Sequence, residues 1–245
     1  MDALLFERCT SAISGLLVQH RYVFISGRQI TNMLAANVDE VIRFKNCWNH
    51  LVMDRHVTRD GMYRHHRYGQ LMKYAEQEEL ISLPQQQISS VFNSSSSHGC
   101  NESGCTPLTE TFIESLVLSK LLQMICGVLD MAEHKPTNWL IELHPQRIVA
   151  EGGNQGLATP EYICHDDANF YVSMVLNRNN ISGGDLMVNN KNNELLEHLL
   201  LVDPFDTVLA NARNTKYELY PIALLCRERC AYQDVLVITF TKMEI

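Results

Sequence analysis

The spacing of apolar residues changes character partway along the chain. In the first half they recur at the helical period. Leu5, Cys9, Ile13 and Leu16-Leu17 predict an amphipathic helix over about residues 2–19. Tyr22 to Ile25 reads as a short strand ended by Ser26-Gly27. Ile30, Met33, Leu34, Val38 and Ile42 place a second helix over about 29–44. Thr106-Pro107 offers an N-cap and a first-turn proline for a long helix reaching about Met131, with Phe112, Leu116, Leu118, Leu121, Leu122, Ile125 and Leu129 apolar. From Asn138 onward the period falls to two. Trp139 to Val149 alternates. In Phe170 to Asn177, Phe170, Val172, Met174 and Leu176 share one face, and Tyr171, Ser173, Val175 and Asn177 the other. Gly183-Gly184 marks a turn before Asp185 to Val188. Leu195 to Val202 has strand or short-helix character. Thr207 to Ala210, Tyr217 to Leu224 and Val235 to Thr241 complete the set. Many short strands after a few helices predict an α+β chain, a jelly roll with flanking N-terminal helices. No internal repeat or boundary divides it, so residues 1–245 are expected to form a single domain.

Composition narrows the classes. Hydrophobic residues make up 46% of the chain, ample for a core, and the net charge of −8 argues against a nucleic-acid surface. Asp2 and Glu7 stand where a signal peptide carries positive charge, and the apolar run Ile13 to Val18 is short. No apolar run is long enough to cross a membrane. The eight cysteines then read as reduced thiols of a cytoplasmic protein. Cys100 with Cys105, and Cys226 with Cys230, lack the spacing of a zinc site, and Cys164 is assigned to packing.

Two segments stand apart. Gln85 to Gly104 is polar and Ser-rich, without the apolar residues a packed element needs. Trp48 to Tyr74 collects His50, His56, His65 and His66 with Arg55, Arg59, Arg64 and Arg67, and reads mainly as a solvated charged face.

The candidate chemistry centres on Glu161 to Phe170, which carries His165-x-Asp167 at the head of an alternating strand. An imidazole and a carboxylate two residues apart on extended backbone point the same way. Together they are half of the two-histidine, one-carboxylate face that holds non-haem Fe(II).

The runs Leu143 to Ile148, Thr159-Pro160-Glu161, His165-Asp166-Asp167 and Asn177 to Gly184 resemble the bacterial 2-oxoglutarate/Fe(II) dioxygenases that include the L-isoleucine hydroxylases. Trp48 to Asp54 with Tyr63 to Tyr68, and Asp234 to Phe240, extend the resemblance over about residues 15–241. It implies a double-stranded β-helix of the cupin-like kind, Fe(II) and 2-oxoglutarate as cofactors, and a small-molecule substrate such as a free amino acid. On that resemblance His165 and Asp167 are metal ligands. Arg64, Arg67, Arg147 and Glu161 are candidate substrate or co-substrate contacts.

Two positions depart from the family pattern. Tyr217, four residues before Pro221-Ile222, stands where the second metal-binding histidine is expected. Gln233 stands where an arginine would meet the far carboxylate of 2-oxoglutarate. Tyr217 is therefore the third candidate ligand, and Gln233 marks the co-substrate end of the pocket. An amide lacks a guanidinium's charge and fork. Arg147, Arg213, Arg227 and Arg229 are the candidates to supply the cation instead. Three activities follow: a 2-oxoglutarate-dependent oxygenase, a metalloenzyme of altered chemistry that does not use 2-oxoglutarate, and a non-catalytic binding protein on the same fold.

Overall fold

A computed structural model describes residues 3–53, 63–77, 79–84, 106–151, 155–156, 168–227 and 229–244. The Ser-rich segment Gln85 to Gly104, the loop residues Gly152 to Asn154, and Glu161, Cys164, His165 and Asp167 lie outside them.

The amino-terminal part is helical. α1 (Ala3–His20) leads through β1 (Tyr22–Ile25) to α2 (Gly27–Leu34) and α3 (Val38–Asn46). The single helix expected over 29–44 is thus two. Ala35 takes a left-handed conformation at the end of α2, and Asn37 opens α3 with a capping box closed by Glu40. The break resets the helical phase, so Val38 and Ile42 are exposed rather than on the buried face. The long helix from Thr106 is likewise two: α4 (Glu110–Ile113), capped by Thr109, and α5 (Leu116–Ala132), which begins after a non-helical Glu114.

Among the described residues one sheet has nine strands, in the order β1, β11, β7, β14, β6, β3, β2. Here β2 is Val52–Met53, β3 is Tyr63–His66, β6 is Trp139–Ala150, β7 is Phe170–Asn179, β11 is Thr207–Asn211 and β14 is Ala231–Lys242. β4 (Gly69–Lys73) pairs with the first half of β6 and with β5 (Leu80–Leu83), and β3 pairs with the second half of β6. Opposite stand two smaller sheets. One is β10 (Leu195–Leu199), β9 (Leu186–Asn190) and β12 (Thr215–Leu219), and the other is β13 (Ile222–Leu224) with β8 (Ile181–Gly183). The expected strand over 217–224 divides at Tyr220-Pro221, where proline offers no N–H to a ladder. A large antiparallel sheet facing smaller ones is the jelly-roll arrangement.

The main sheet has two unlike faces. Its outer face carries Trp139, Ile141, Leu143, Phe170, Val172, Met174, Leu236, Ile238 and Phe240, packed in one core with α1, α2, α3 and α5. Trp48 anchors the entry to β2. Its indole N–H donates to the carbonyls of Gln146 at 3.0 Å and Val235 at 3.2 Å, and its ring meets Phe44 and Phe112. The inner face meets the smaller sheets through two further clusters. Tyr171, Val175, Val208 and Val237 pack with Leu186, Val188 and Tyr217; Ile148, Ala150 and Val235 pack with Ile181 and Ile222.

Asp206 fastens the helices to the sheet. Its buried carboxylate accepts the backbone N–H of Gly27 at 2.8 Å, Val202 at 3.1 Å and Asp203 at 2.9 Å. The backbone closes tightly at Gly27, where a Cβ would lie 2.0 Å from the Pro204 carbonyl oxygen. Beside it the buried Phe205 holds a φ of 72° and stacks on Phe44. Asp206→Ala leaves the buried Gly27 donor and the two partly buried donors unmatched. It should lower unfolding stability by about 2–5 kcal/mol, read as a shifted urea midpoint at unchanged slope.

Candidate functional site

The candidate site is the space between the sheets, and strand parity decides what enters it. β14 pairs with β6 in unbroken register, so Gln233 lies beside Ile148, Val235 beside Gln146, Val237 beside His144 and Thr239 beside Glu142. These pairs share the inner face. β3 and β4 extend the rows, setting Arg64 beside Ile148, His66 beside Gln146 and Gln70 beside Glu142. The interior is therefore lined by polar side chains that are nonetheless buried: Arg64, His66, Gln70, Glu142, His144, Gln146 and Gln233. The Trp48 to Tyr74 segment is thus not solely a solvated face, since Arg64 is 1% exposed.

At one end of the interior Glu142 gathers neutral donors. It accepts from the hydroxyls of Tyr68 and Thr239 and from the Gln70 amide at 3.0 Å. Burial, and then the negative charge of Glu142, push the Tyr68 phenol far above its ordinary range, so Tyr68 stays a proton donor. The Tyr68 ring lies 4.9 Å from that of His144.

On the facing sheet Tyr217 is buried, with its ring 4.3 Å from Tyr171 between centroids. β12 carries it opposite Val188 of β9. Tyr217 thus turns inward, toward the strands of the main sheet.

At the other end lies a niche that no motif in the sequence marks. The β14–β7 ladder shifts register between Asp234 and Val235, so Val235 faces Val175 while Asp234 faces Asn177 and Gln233 faces Arg178. This bulge reverses the parity of β7 beyond Leu176. Asn177, expected on the face of Tyr171 and Val175, turns outward. Arg178, which strict alternation would send outward, turns in. Its Nη2 donates to the Gly183 carbonyl at 2.6 Å. Its Nη1 and the Oε1 of Gln233 are buried without a hydrogen-bond partner among the described residues. Both border the space above Gly184, where a Cβ would stand 2.5 Å from Gln233 Oε1, 2.9 Å from Ile222 Cγ2 and 3.0 Å from Arg178 Nη1. Gly184 has a φ of 75°, so glycine both permits the turn and lets these three side chains close on its backbone. Burial pulls the Arg178 guanidinium below its ordinary range, partly offset by Asp185.

The other arginines singled out in the sequence are placed differently. Arg147 lies on the outer face, paired in register with Asp234. Its Nε and Nη2 reach the two Asp234 oxygens at 2.6 and 2.9 Å, Asn49 adds a contact, and the guanidinium sits 4.3 Å over the Tyr232 ring. Asp234 raises Arg147, while burial raises Asp234 against the pull of that guanidinium. Arg67 donates to the carbonyls of His50 at 2.7 Å and Pro107 at 2.6 Å. Arg213, Arg227 and Arg229 are exposed on turns. Cys226 and Cys230 are exposed free thiols. Among the described residues no three His, Cys, Asp or Glu side chains converge as a metal site, and no helix is long and apolar enough to cross a membrane.

The family model of the 2OG-Fe dioxygenases matches residues 45–239, and the chain belongs to that family. It is an oxidoreductase of the non-haem Fe(II) oxygenase type, whose cofactors are Fe(II) and 2-oxoglutarate. Among curated proteins none matches it in sequence. Among solved structures it is similar to a BsmA homologue from Methylobium petroleophilum, with a TM-score of 0.79 at 21% identity over 95% of this chain and 92% of that one. It is similar also to IDO from Bacillus thuringiensis (TM-score 0.74, 16% identity, 96% of this chain and 100% of that one). A third is TqaL, an Fe(II)/α-ketoglutarate-dependent dioxygenase (TM-score 0.74, 14% identity, 96% and 88%). At these identities the likenesses speak for the fold.

The position of Arg147 yields a test. Arg147→Met strands a buried carboxylate on the outer face. It should lower stability by about 1–3 kcal/mol, less than a fully buried pair costs because Arg147 keeps some solvent, and leave 2-oxoglutarate affinity within about two-fold. Paired urea unfolding and calorimetric titration measure both.

Proposed function

We propose that the protein hydroxylates a small amino acid or a closely related metabolite, as an oxygenase of the L-isoleucine hydroxylase type. The observation that carries this reading is the buried polar interior, with the guanidinium of Arg64 set inside it. Packing alone favours apolar side chains there, because polar groups are costly to bury. A chamber lined this way suits a small, charged ligand, and a guanidinium suits its carboxylate.

The described residues fit 2-oxoglutarate, since the niche at Gln233 presents two buried polar atoms, Arg178 Nη1 and Gln233 Oε1, without partners among them. In this reading the iron donors are His165 and Asp167, and Tyr217, whose ring is buried in the interior, is the third. One imidazole, one carboxylate and one phenol are nitrogen and hard oxygen donors that iron accepts. Bound iron and co-substrate supply the oxidising chemistry. In this reading Arg64 binds the substrate carboxylate, Glu161 its ammonium group, and the apolar wall of Val175, Val208 and Val237 limits access of water.

Tyr217 supports a second reading. A phenolate ligand favours Fe(III), which fits oxygen chemistry that does not consume 2-oxoglutarate.

The test is to load anaerobic protein with Fe(II), add 2-oxoglutarate and a panel of amino acids, admit oxygen, and follow oxygen uptake and succinate. Amino-acid-dependent uptake matched by succinate is expected, and uptake without succinate would establish the second reading. Asp167→Ala should weaken Fe(II) binding by more than about 100-fold, beyond the loss from disturbing a ligand's support. Equal iron affinity in wild type and Asp167→Ala would remove the metal site. Tyr217→His rebuilds the ordinary facial set and should tighten Fe(II) binding. If the phenol ligates ferric iron, Tyr217→Phe should bleach a charge-transfer colour.

A further inference from the structure

We propose that Arg178 is the cation that holds the far carboxylate of 2-oxoglutarate, in the niche it forms with Gln233 and Gly184. The proposal rests on the reading of the protein as a 2-oxoglutarate-dependent oxygenase, and it assigns a residue of that site.

Four observations carry it. First, the guanidinium enters the interior only because the β-bulge in the β14–β7 ladder reverses the parity of β7 before Arg178. Secondly, its hydrogen bonding is incomplete. Nη2 donates to the Gly183 carbonyl, while Nη1 is buried and unmatched among the described residues. A buried guanidinium N–H without an acceptor is costly, and an anion is the group that best relieves it. Thirdly, no carboxylate among the described residues forms an ion pair with Arg178. Asp185, which acts on it through its charge, is hydrogen-bonded to His198 at 2.9 Å. Fourthly, the guanidinium is held in place, packed with Gln233 and Ile222 directly on the bare backbone of Gly184. Any side chain at residue 184 would press on Gln233, Ile222 and Arg178 together.

The surroundings select the kind of anion. Ile148, Ile181, Ile222 and Val235 form an apolar cluster next to the niche. Leu219 packs against both that cluster and the one containing Tyr217. A ligand anchored at Arg178 and running toward Tyr217 therefore meets apolar side chains in its middle. A carboxylate on a short methylene chain, with its keto acid end toward Tyr217, matches that order. Low polarity around the anchor strengthens the pairing. Gln233 adds a neutral contact, since a half-turn of its amide exchanges the oxygen for an NH2 donor. Arg178 and Gln233 are facing neighbours, so a guanidinium launched from residue 233 would enter the same space.

The test compares 2-oxoglutarate with 2-oxopentanoate, which keeps the keto acid end but has a methyl group in place of the far carboxylate. Both are titrated calorimetrically into anaerobic Fe(II)-loaded protein. Wild type should prefer 2-oxoglutarate by on the order of 10- to 100-fold, the range of a charge-assisted hydrogen bond to a buried site. Arg178→Met should bring the two ligands to near parity by weakening 2-oxoglutarate alone, with 2-oxopentanoate binding as before. Adding Gln233→Arg to Arg178→Met should restore most of the preference. The unchanged 2-oxopentanoate affinity shows that the fold is intact. Should Arg178→Met fail to fold, Arg178→Lys with and without Gln233→Arg makes the same comparison. A preference for 2-oxoglutarate that survives in Arg178→Met overturns the assignment and leaves the proposed function standing. Loss of amino-acid binding with 2-oxoglutarate affinity retained also overturns it, by giving Arg178 to the substrate. Wild type that binds neither 2-oxo acid overturns the proposed function and this assignment with it.

Discussion

The pairing of β14 between β6 and β7 is the constraint on which the rest of the molecule hangs. Every residue of β14 has a partner on β6, and most have one on β7. Because successive side chains alternate, this strand sorts its residues into two environments. Leu236, Ile238 and Phe240 face the helices; Gln233, Val235, Val237 and Thr239 face the interior. A slip of one residue against either neighbour would exchange the two sets, putting polar groups into the helix-packed core. Hydrophobic burial on the outer face thus fixes the register that presents polar groups within.

That division of labour explains how a polar interior is tolerated. Burying Arg64, Glu142 and Gln233 is unfavourable unless their groups find partners. The outer core, built from Trp48, Phe44, Phe112, Trp139 and Phe240 among others, supplies stabilisation that does not depend on the interior. Asp206 binds the helices to the same sheet, its carboxylate accepting the Gly27 backbone N–H where the chain closes against Pro204.

Two arginines show how position within one sheet decides role. Arg147 and Arg178 both lie beside β14, one strand away on either side. Arg147 faces outward, where Asp234, Asn49 and the Tyr232 ring satisfy its guanidinium. Arg178 faces inward, where one of its nitrogens finds no partner among the described residues. The first has its complement in the protein and acts as structure. The second lacks a full one among the described residues, which is the condition a ligand site requires.

The amino-acid sequence by itself determined the fold class, because alternation over Trp139 to Val149 and Phe170 to Leu176 is a local consequence of one face being buried. It also determined the family, through the spacing of short runs over most of the chain, and it marked Tyr217 and Gln233 as departures. Helix ends were less legible. The breaks at Ala35 and Glu114 depend on a left-handed residue and a lost turn that propensity does not announce. Only the tertiary structure decided which face Arg178 occupies. Strict alternation groups it with Phe170, Val172, Met174 and Leu176, and one extra residue against β14 reverses that assignment. A bulge is set by the pairing of two strands more than fifty residues apart, so no pattern within β7 could reveal it. The same holds for Arg147 and Arg64: each has the chemistry to bind a carboxylate, and only the register beside β6 tells which of them faces the interior.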